Sequence, residues 1–353
     1  MVGSIIFSII IGEIVLQISY KYNSKLWLWE SEAFKVPFVE KVGTRREYRL
    51  RPNFQNEKLG IKIDPQGFRS LGLIKNGLTK NSPAIIFLGD SVPYGFNVKD
   101  NESYPAQFAN LTNKKGKKYN VINAGVPSYT IWQSIDRFRE DVLPTIQPSL
   151  LILQAANDIS LLTYFREDWN ETRTWAGIGL LEKLGSLQNF EKSAIIFFCK
   201  KFVLSHQAKS KKIFSLKGRS HLPYNSDAML KHLDHELNWI AMFAYENNTP
   251  LVLLPIDPFY YQTYRKEKNK DLILWEKEKR YVEAWDVIIE QVNHLLQKKA
   301  NKNKNCYFFD TRPYFDKTNR DLMYIDFIHY SKDGNQYMAE LLYNFFEKNK
   351  LLP

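Results

Sequence analysis

The chain has 353 residues, 44% of them hydrophobic and 14% aromatic, a composition that buries a substantial core and excludes a disordered protein. Its 49 Lys and Arg outweigh 38 Asp and Glu, and the net charge of +11 suits an anionic partner. No zinc-like Cys/His spacing, phosphate-binding loop or RNA-binding signature accompanies that charge, so nucleic acid is not expected as a partner. Two cysteines, Cys199 and Cys306, exclude a disulfide scaffold, and each sits in an apolar stretch that reads as the site of a buried thiol.

The first element in chain order is the stretch from Val2 to Ser19, apolar almost throughout except for Glu13. It sits at the short end of the ~17–25 residues that span a bilayer, and an acid near mid-span costs roughly 2.5–3.5 kcal/mol on insertion scales. No small-x-small cleavage site follows, so residues 1–20 are expected to form a membrane anchor or uncleaved signal. A buried helix of the main domain is the alternative. Lys21 and Lys25 after the stretch pull that flank toward the cytoplasm, which leaves the orientation open. Residues 21–80 read as a poorly patterned connector and N-terminal extension with aromatic anchors at Trp27, Trp29 and Phe34.

From residue 84 a strand–helix alternation begins, and residues 81–353 read as one domain. Apolar runs predict strands over Ile85–Leu88, Tyr119–Ile122, Leu150–Gln154, Leu251–Pro255 and Tyr307–Asp310. Helical patterns fill the gaps over Tyr104–Leu111, Thr130–Val142, Ala228–Tyr245 and Leu272–Lys299, and a last one follows over Ser331–Lys348 with Ser331 as its N-cap. Continuous apolar strands alternating with helices predict a doubly wound parallel α/β sheet. Such sheets bind ligands beyond the carboxyl ends of their strands. Ser91, Gly125, Asn157, Asp257 and the segment after Asp310 then share one rim. An insertion over about 160–226 breaks the rhythm. It contains "SAIIFFCKKFVLSHQAKSKKIFSLKGR", apolar and basic with no acidic residue, and reads as a helical cap over the rim or a face for an anionic membrane.

Three pieces at the rim carry chemistry. Ser91 follows the first strand in "GDS", where a hydroxyl becomes a nucleophile if a base takes its proton; Asp90 or Ser91 serving only as a helix cap is the competing reading. In "DFIH", Asp326 and His329 are three apart, so on one turn the carboxylate reaches one imidazole nitrogen and leaves the other for the serine. The Gly125 N–H and the Asn157 amide, at the ends of neighbouring strands, are donors suited to an oxyanion. His232, Asp234 and His235 lack a third convergent ligand, so no metal site is expected. Asp257 and Asp310 sit at strand ends and read as turn or capping residues, with support of the catalytic loop as the alternative. Arg69 either contacts substrate or braces the rim.

Taken in order, "GDS", "NAGVPS", "AAND" and "DFIH" resemble the four blocks of the SGNH/GDSL hydrolase superfamily, across residues 84–348. "DPQGFRS" also looks like an upstream segment of its membrane-anchored members. The resemblance implies a three-layer α/β/α fold, flavodoxin-like, with five parallel strands. It implies Ser91 as nucleophile, His329 as general base and acid, and Asp326 orienting the imidazole. The Ser91 N–H, the Gly125 N–H and the Asn157 side chain would bind the oxyanion, with Gly89, Asp90 and Asp158 supporting, and no cofactor is implied. Two positions depart from the pattern: Ala155 stands where the third block has glycine, and Pro93 where many relatives place threonine. The expected activity is a serine esterase hydrolysing or transferring a small acyl group, O-acetyl above all, on a glycan or lipid at the cell-envelope side of a membrane. An O-acyltransferase of envelope polysaccharide, lipid hydrolysis at the bilayer surface, and a non-catalytic glycan- or partner-binding module are the alternatives.

Overall fold

In a computed structural model, the structure describes residues 11–19, 22, 38–42, 44–46, 48–57, 59–72, 83–154, 193, 195, 227–257, 279–325 and 328–353. The chain divides into two compact units, one of residues 1–39 with 170–222 and one of residues 40–169 with 223–353. The inserted stretch therefore groups with the N-terminal segment. Trp27, Trp29, Phe34, Cys199, Asn157, Asp158 and Asp326 lie outside the described residues.

The larger unit is built on five parallel strands in the order β6-β5-β7-β8-β9, where β5 is Ala84–Gly89, β6 Asn120–Asn123, β7 Pro148–Gln154, β8 Leu251–Leu253 and β9 Cys306–Phe308. Every residue of β5 is buried, which explains its unbroken apolar run: a central parallel strand has no wet face. Alternate side chains go to opposite layers. Ile85 and Phe87 pack with Tyr104, Phe108, Met338, Leu342 and Phe346 of the helices Tyr104–Lys114 and Lys332–Lys348. On the other side the helices Ile131–Arg137, Asp227–Glu246 and Lys279–Lys302 contact the sheet. This is the expected three-layer, doubly wound α/β/α architecture. The strand order reverses beside β5, which is where such a sheet opens a binding crevice.

Helix starts follow their caps. Thr130 accepts from the Gln133 N–H and Ser331 from the Gly334 N–H, satisfying donors that a helix leaves open. Gly334 has a second reason to be glycine, since a Cβ there would lie 1.9 Å from the Met323 carbonyl oxygen.

Part of the expected connector is instead structured. Short pairs β1–β2 (Val39–Lys41, Tyr48–Leu50) and β3–β4 (Gln55–Asn56, Ile61–Lys62) precede the sheet. Arg45 between β1 and β2 pairs with Asp136 and Glu236, and Arg46 with Glu140 and Asp141. Several of the basic residues counted in the net charge are thus consumed internally. Cys306 is buried as expected, and burial pushes its thiol up to about 12.

Burial also raises the phenols of Tyr94 and Tyr129 to about 12 and that of Tyr104 well above its ordinary value. A folded-state value above the unfolded one, near 10, means stability that is complete below about pH 10 and lost as pH rises toward 12. Each such tyrosine steepens the loss by about 1.4 kcal/mol per pH unit in that window. Full tyrosinate absorbance is therefore expected only together with the loss of helical circular dichroism, and full absorbance in a still folded chain would contradict this.

Candidate active site

The site begins where β5 ends. Gly89 has φ +147°, and a Cβ there would stand 1.7 Å from the Gln154 carbonyl oxygen of β7, so only glycine passes this point. The chain then turns into the one-turn helix Ser91–Tyr94. Asp90, buried, is its N-cap: the carboxylate accepts from the Val92 N–H at 2.9 Å. Capping thus falls to Asp90, and Ser91 is left as the first helical residue, its N–H without a carbonyl acceptor among the described residues.

Opposite Ser91 stands His329, on the loop before the last helix. His329 Nε2 lies 2.8 Å from Ser91 Oγ. Two residues 238 positions apart in sequence are thereby brought into direct hydrogen-bond contact. The loop is held from both ends. Tyr324 and Tyr330 form an antiparallel bridge, and the Ile325 N–H donates to the His329 carbonyl at 2.9 Å. Below it, Asp257 beyond β8 accepts from the Tyr324 hydroxyl at 2.8 Å and from Arg320 at 3.1 Å. On the far side, Asn335 donates to the Tyr330 carbonyl and accepts from the Tyr104 N–H. The Phe96 ring, partly exposed, lies against the imidazole with centroids 4.9 Å apart. It forms an aromatic wall beside the Ser91–His329 pair.

The second rim element is the segment after β6. Gly125 packs on the Ser91 turn so closely that a Cβ would meet the Tyr94 nitrogen at 2.5 Å. Its N–H donates to Asn123 Oδ1 at 3.1 Å, while Asn123 Nδ2 donates to the Pro93 carbonyl at 2.8 Å. Asn123 thereby clamps the two rim segments together, and service of the Gly125 N–H to an oxyanion requires it to be shared with Asn123.

Arg69 braces the rim. Its buried guanidinium donates to the carbonyls of Tyr94 (2.7 Å), Gly95 (2.6 Å) and Val98 (2.6 Å) and to the Asp100 carboxylate (3.0 Å). It also lies 4.3 Å from the Tyr94 ring centroid. The loop that follows the Ser91 turn and carries Phe96 is therefore hung on one side chain. Of the sequence candidates, the structure brings Ser91, Gly125, Gly89, Asp90 and His329 together. Asp310 pairs with Arg312, a local turn contact. Asp234 pairs with Lys299, His232 packs edge-on to Trp132 and His235 is exposed. Among the described residues no group of three or more His, Cys, Asp or Glu is placed to hold a metal.

Sequence reasoning did not single out Asn123, Phe96, Tyr324 or Asn335. Asn123 stands in a quoted block, "NAG", and was accessible as a polar residue at the end of a buried strand. The others carry no local signal.

The GDSL-like lipase/acylhydrolase family model matches residues 87–337. No curated protein matches the chain. Among solved structures, the acetyl xylan esterase AlAXEase is 16% identical with a TM-score of 0.42, covering 74% of this chain and 98% of that one. Axe2, an acetyl xylan esterase from Geobacillus stearothermophilus, is 13% identical with a TM-score of 0.41, covering 75% of this chain and 96% of that one. The esterase EstA from Pseudoalteromonas sp. is 13% identical with a TM-score of 0.40, covering 75% and 97%.

Proposed function

Since the chain belongs to the GDSL-like lipase/acylhydrolase family and is a serine hydrolase acting on ester bonds, we propose that Ser91 is its nucleophile and that it removes or transfers a small acyl group on a glycan or lipid. The observation that carries this reading is the 2.8 Å contact between His329 Nε2 and Ser91 Oγ. For Nε2 to accept the serine proton, the imidazole must hold its own proton on Nδ1. Asp326, three residues earlier, is the proposed acceptor for it.

The steps follow from that tautomer. His329 takes the hydroxyl proton as Ser91 Oγ attacks the ester carbonyl, and negative charge gathers on the carbonyl oxygen. The Ser91 N–H is the first donor for that charge, and the Gly125 N–H and the Asn157 side chain are the proposed others. His329 then gives its proton to the departing alkoxide, leaving an acyl-serine. Water or a sugar hydroxyl, deprotonated by His329, attacks the acyl-serine, and the proton returns to Ser91 Oγ. Hydrolysis and transfer share every residue up to that acceptor.

Phe96 beside His329 supports a short acyl group and a sugar or glycerol alcohol, since a ring 4.9 Å from the imidazole narrows the approach. We further read residues 2–19 as attaching the chain to a membrane, with the catalytic unit on the cell-envelope side. Incubation with p-nitrophenyl acetate is expected to release acetate, and extending the acyl group to octanoyl is expected to cost about tenfold or more in kcat/KM. Octanoate cleaved as fast as acetate would replace the small-acyl reading with a lipid one. Acetylated sugar formed at the expense of acetate, when an oligosaccharide is added, would identify transfer; acetate release indifferent to the sugar would identify hydrolysis.

A further inference from the structure

In the smaller unit, residues 11–19 form a helix whose burial runs opposite to that of a helix in water. Ile11, Ile14, Val15 and Ile18 are 45%, 51%, 57% and 54% exposed. They stand at i, i+3, i+4 and i+7, one continuous stripe. Two polar residues face inward: Gln17 is only 3% exposed, and Glu13 is partly buried.

The acid has a definite employment there. Glu13 Oε1 accepts from Gln17 Nε2 at 2.8 Å, and Oε2 accepts from Ser193 Oγ at 2.8 Å and from the Ile195 N–H at 3.0 Å. Next to it, a Cβ on Gly12 would lie 3.7 Å from Ile195 Cδ1, so the two segments run close together there. Ser193 opens the sequence Ala194-Ile195-Ile196-Phe197-Phe198-Cys199, which is followed by Lys200 and Lys201, with no acid as far as Arg219.

In water this arrangement is unfavourable twice over. Each of these half-exposed Ile and Val side chains forgoes part of the burial an apolar surrounding would give it, and the polar pair occupies the dry side. Among acyl chains both signs reverse. The stripe is solvated by lipid, and an acid that would otherwise be expensive there has its charge met by three donors. The positive, acid-free stretch after Cys199 matches an anionic headgroup layer.

We propose that the helix at residues 11–19 and the segment beginning at Ser193 enter an anionic phospholipid surface together, joined through Glu13, with the Ile11–Ile18 stripe among the acyl chains. The inference rests on the membrane-attachment reading of residues 2–19 and adds the second segment, the lipid-facing side and the task of Glu13. At nine residues the described helix is shorter than a bilayer span, and among the described residues no helix is long and apolar enough to cross a membrane. The claim concerns which face meets lipid and what holds the two segments together.

The test is flotation of the full chain with vesicles of phosphatidylcholine containing phosphatidylglycerol, against phosphatidylcholine alone. Fluorophosphonate labelling of Ser91 serves as the check that the larger unit is folded. Wild type is expected to float with the anionic vesicles, and Ile14→Asp/Ile18→Asp to lose about tenfold or more of that binding. Glu13→Ala is the sharper variant. If Glu13 were merely an acid on an apolar helix, removing it would strengthen membrane binding; as the joint between two lipid-bound segments, its loss is expected to weaken binding several-fold, and Glu13→Gln, which keeps an acceptor oxygen, to restore it. Glu13→Ala floating as well as wild type or better would overturn the pairing while leaving membrane attachment intact. Wild type that floats with neither vesicle, yet still labels at Ser91, would overturn both. Equal flotation with both vesicle types would overturn the anionic surface.

Discussion

His329→Ala is expected to lower kcat/KM for p-nitrophenyl acetate by about 10⁴- to 10⁶-fold, with the circular dichroism of the chain unchanged. A serine hydroxyl is a poor nucleophile at neutral pH, and the only base shown against Ser91 Oγ among the described residues is His329 Nε2 at 2.8 Å. Loss of the base leaves whatever the oxyanion donors and substrate binding supply alone. The fold is expected to tolerate the change because the loop does not depend on the imidazole: the Tyr324–Tyr330 bridge, the Asp257–Tyr324 hydrogen bond and the Asn335 contacts hold it. Residues acting as a unit are not additive, so the double variant with Ser91→Ala is expected to be no worse than either single one. Steady-state kinetics with active-enzyme concentration checked by mass decides the matter. A loss under tenfold would remove His329 from the chemistry.

The second large effect is on stability. Arg69→Met is expected to cost about 3–5 kcal/mol, because it leaves the buried Asp100 carboxylate and the carbonyls of Tyr94, Gly95 and Val98 without their shared donor. That corresponds to a fall in Tm on the order of 10 °C. Arg69→Lys is expected to rescue little, since an ammonium on a flexible stem does not reproduce a fork that serves four acceptors at once. Activity falls alongside stability in this account: the same carbonyls belong to the turn that presents Ser91 and to the loop that carries Phe96. Thermal melts of both variants test it, and a lysine variant melting with wild type would show that the positive charge alone suffices.

The five strands were legible because a strand buried on both faces is written as an unbroken apolar run. Ile85–Leu88 reads correctly to within a residue of Ala84–Gly89 for that reason. The pairs β1–β2 and β3–β4 were not legible. They are two or three residues long, too short for an alternation to stand out. The Arg45 and Arg46 loop of the first is tied to Asp136, Asp141 and Glu236, which lie 91 to 191 positions away. At the site, "GDS" does not say which of its residues caps the helix; in the structure Asp90 caps, and Ser91 lies against His329. Arg69 was ambiguous between substrate and brace, because a sequence does not say whether an arginine is buried; four internal acceptors show the brace. Phe96 carries no signal at all, since its place beside His329 depends on a loop shaped by Arg69. Asn157, Asp158 and Asp326 were singled out on order and spacing and lie outside the described residues.

The most direct test of the account is covalent capture of the nucleophile. The full chain is treated with a fluorophosphonate, digested, and the adduct located by mass spectrometry, in wild type, Ser91→Ala and His329→Ala. The account predicts one adduct, on the peptide containing Ser91, absent from the Ser91→Ala chain and strongly slowed in the His329→Ala chain. A well-folded wild type that takes no adduct, or one that takes it on another serine, would contradict it.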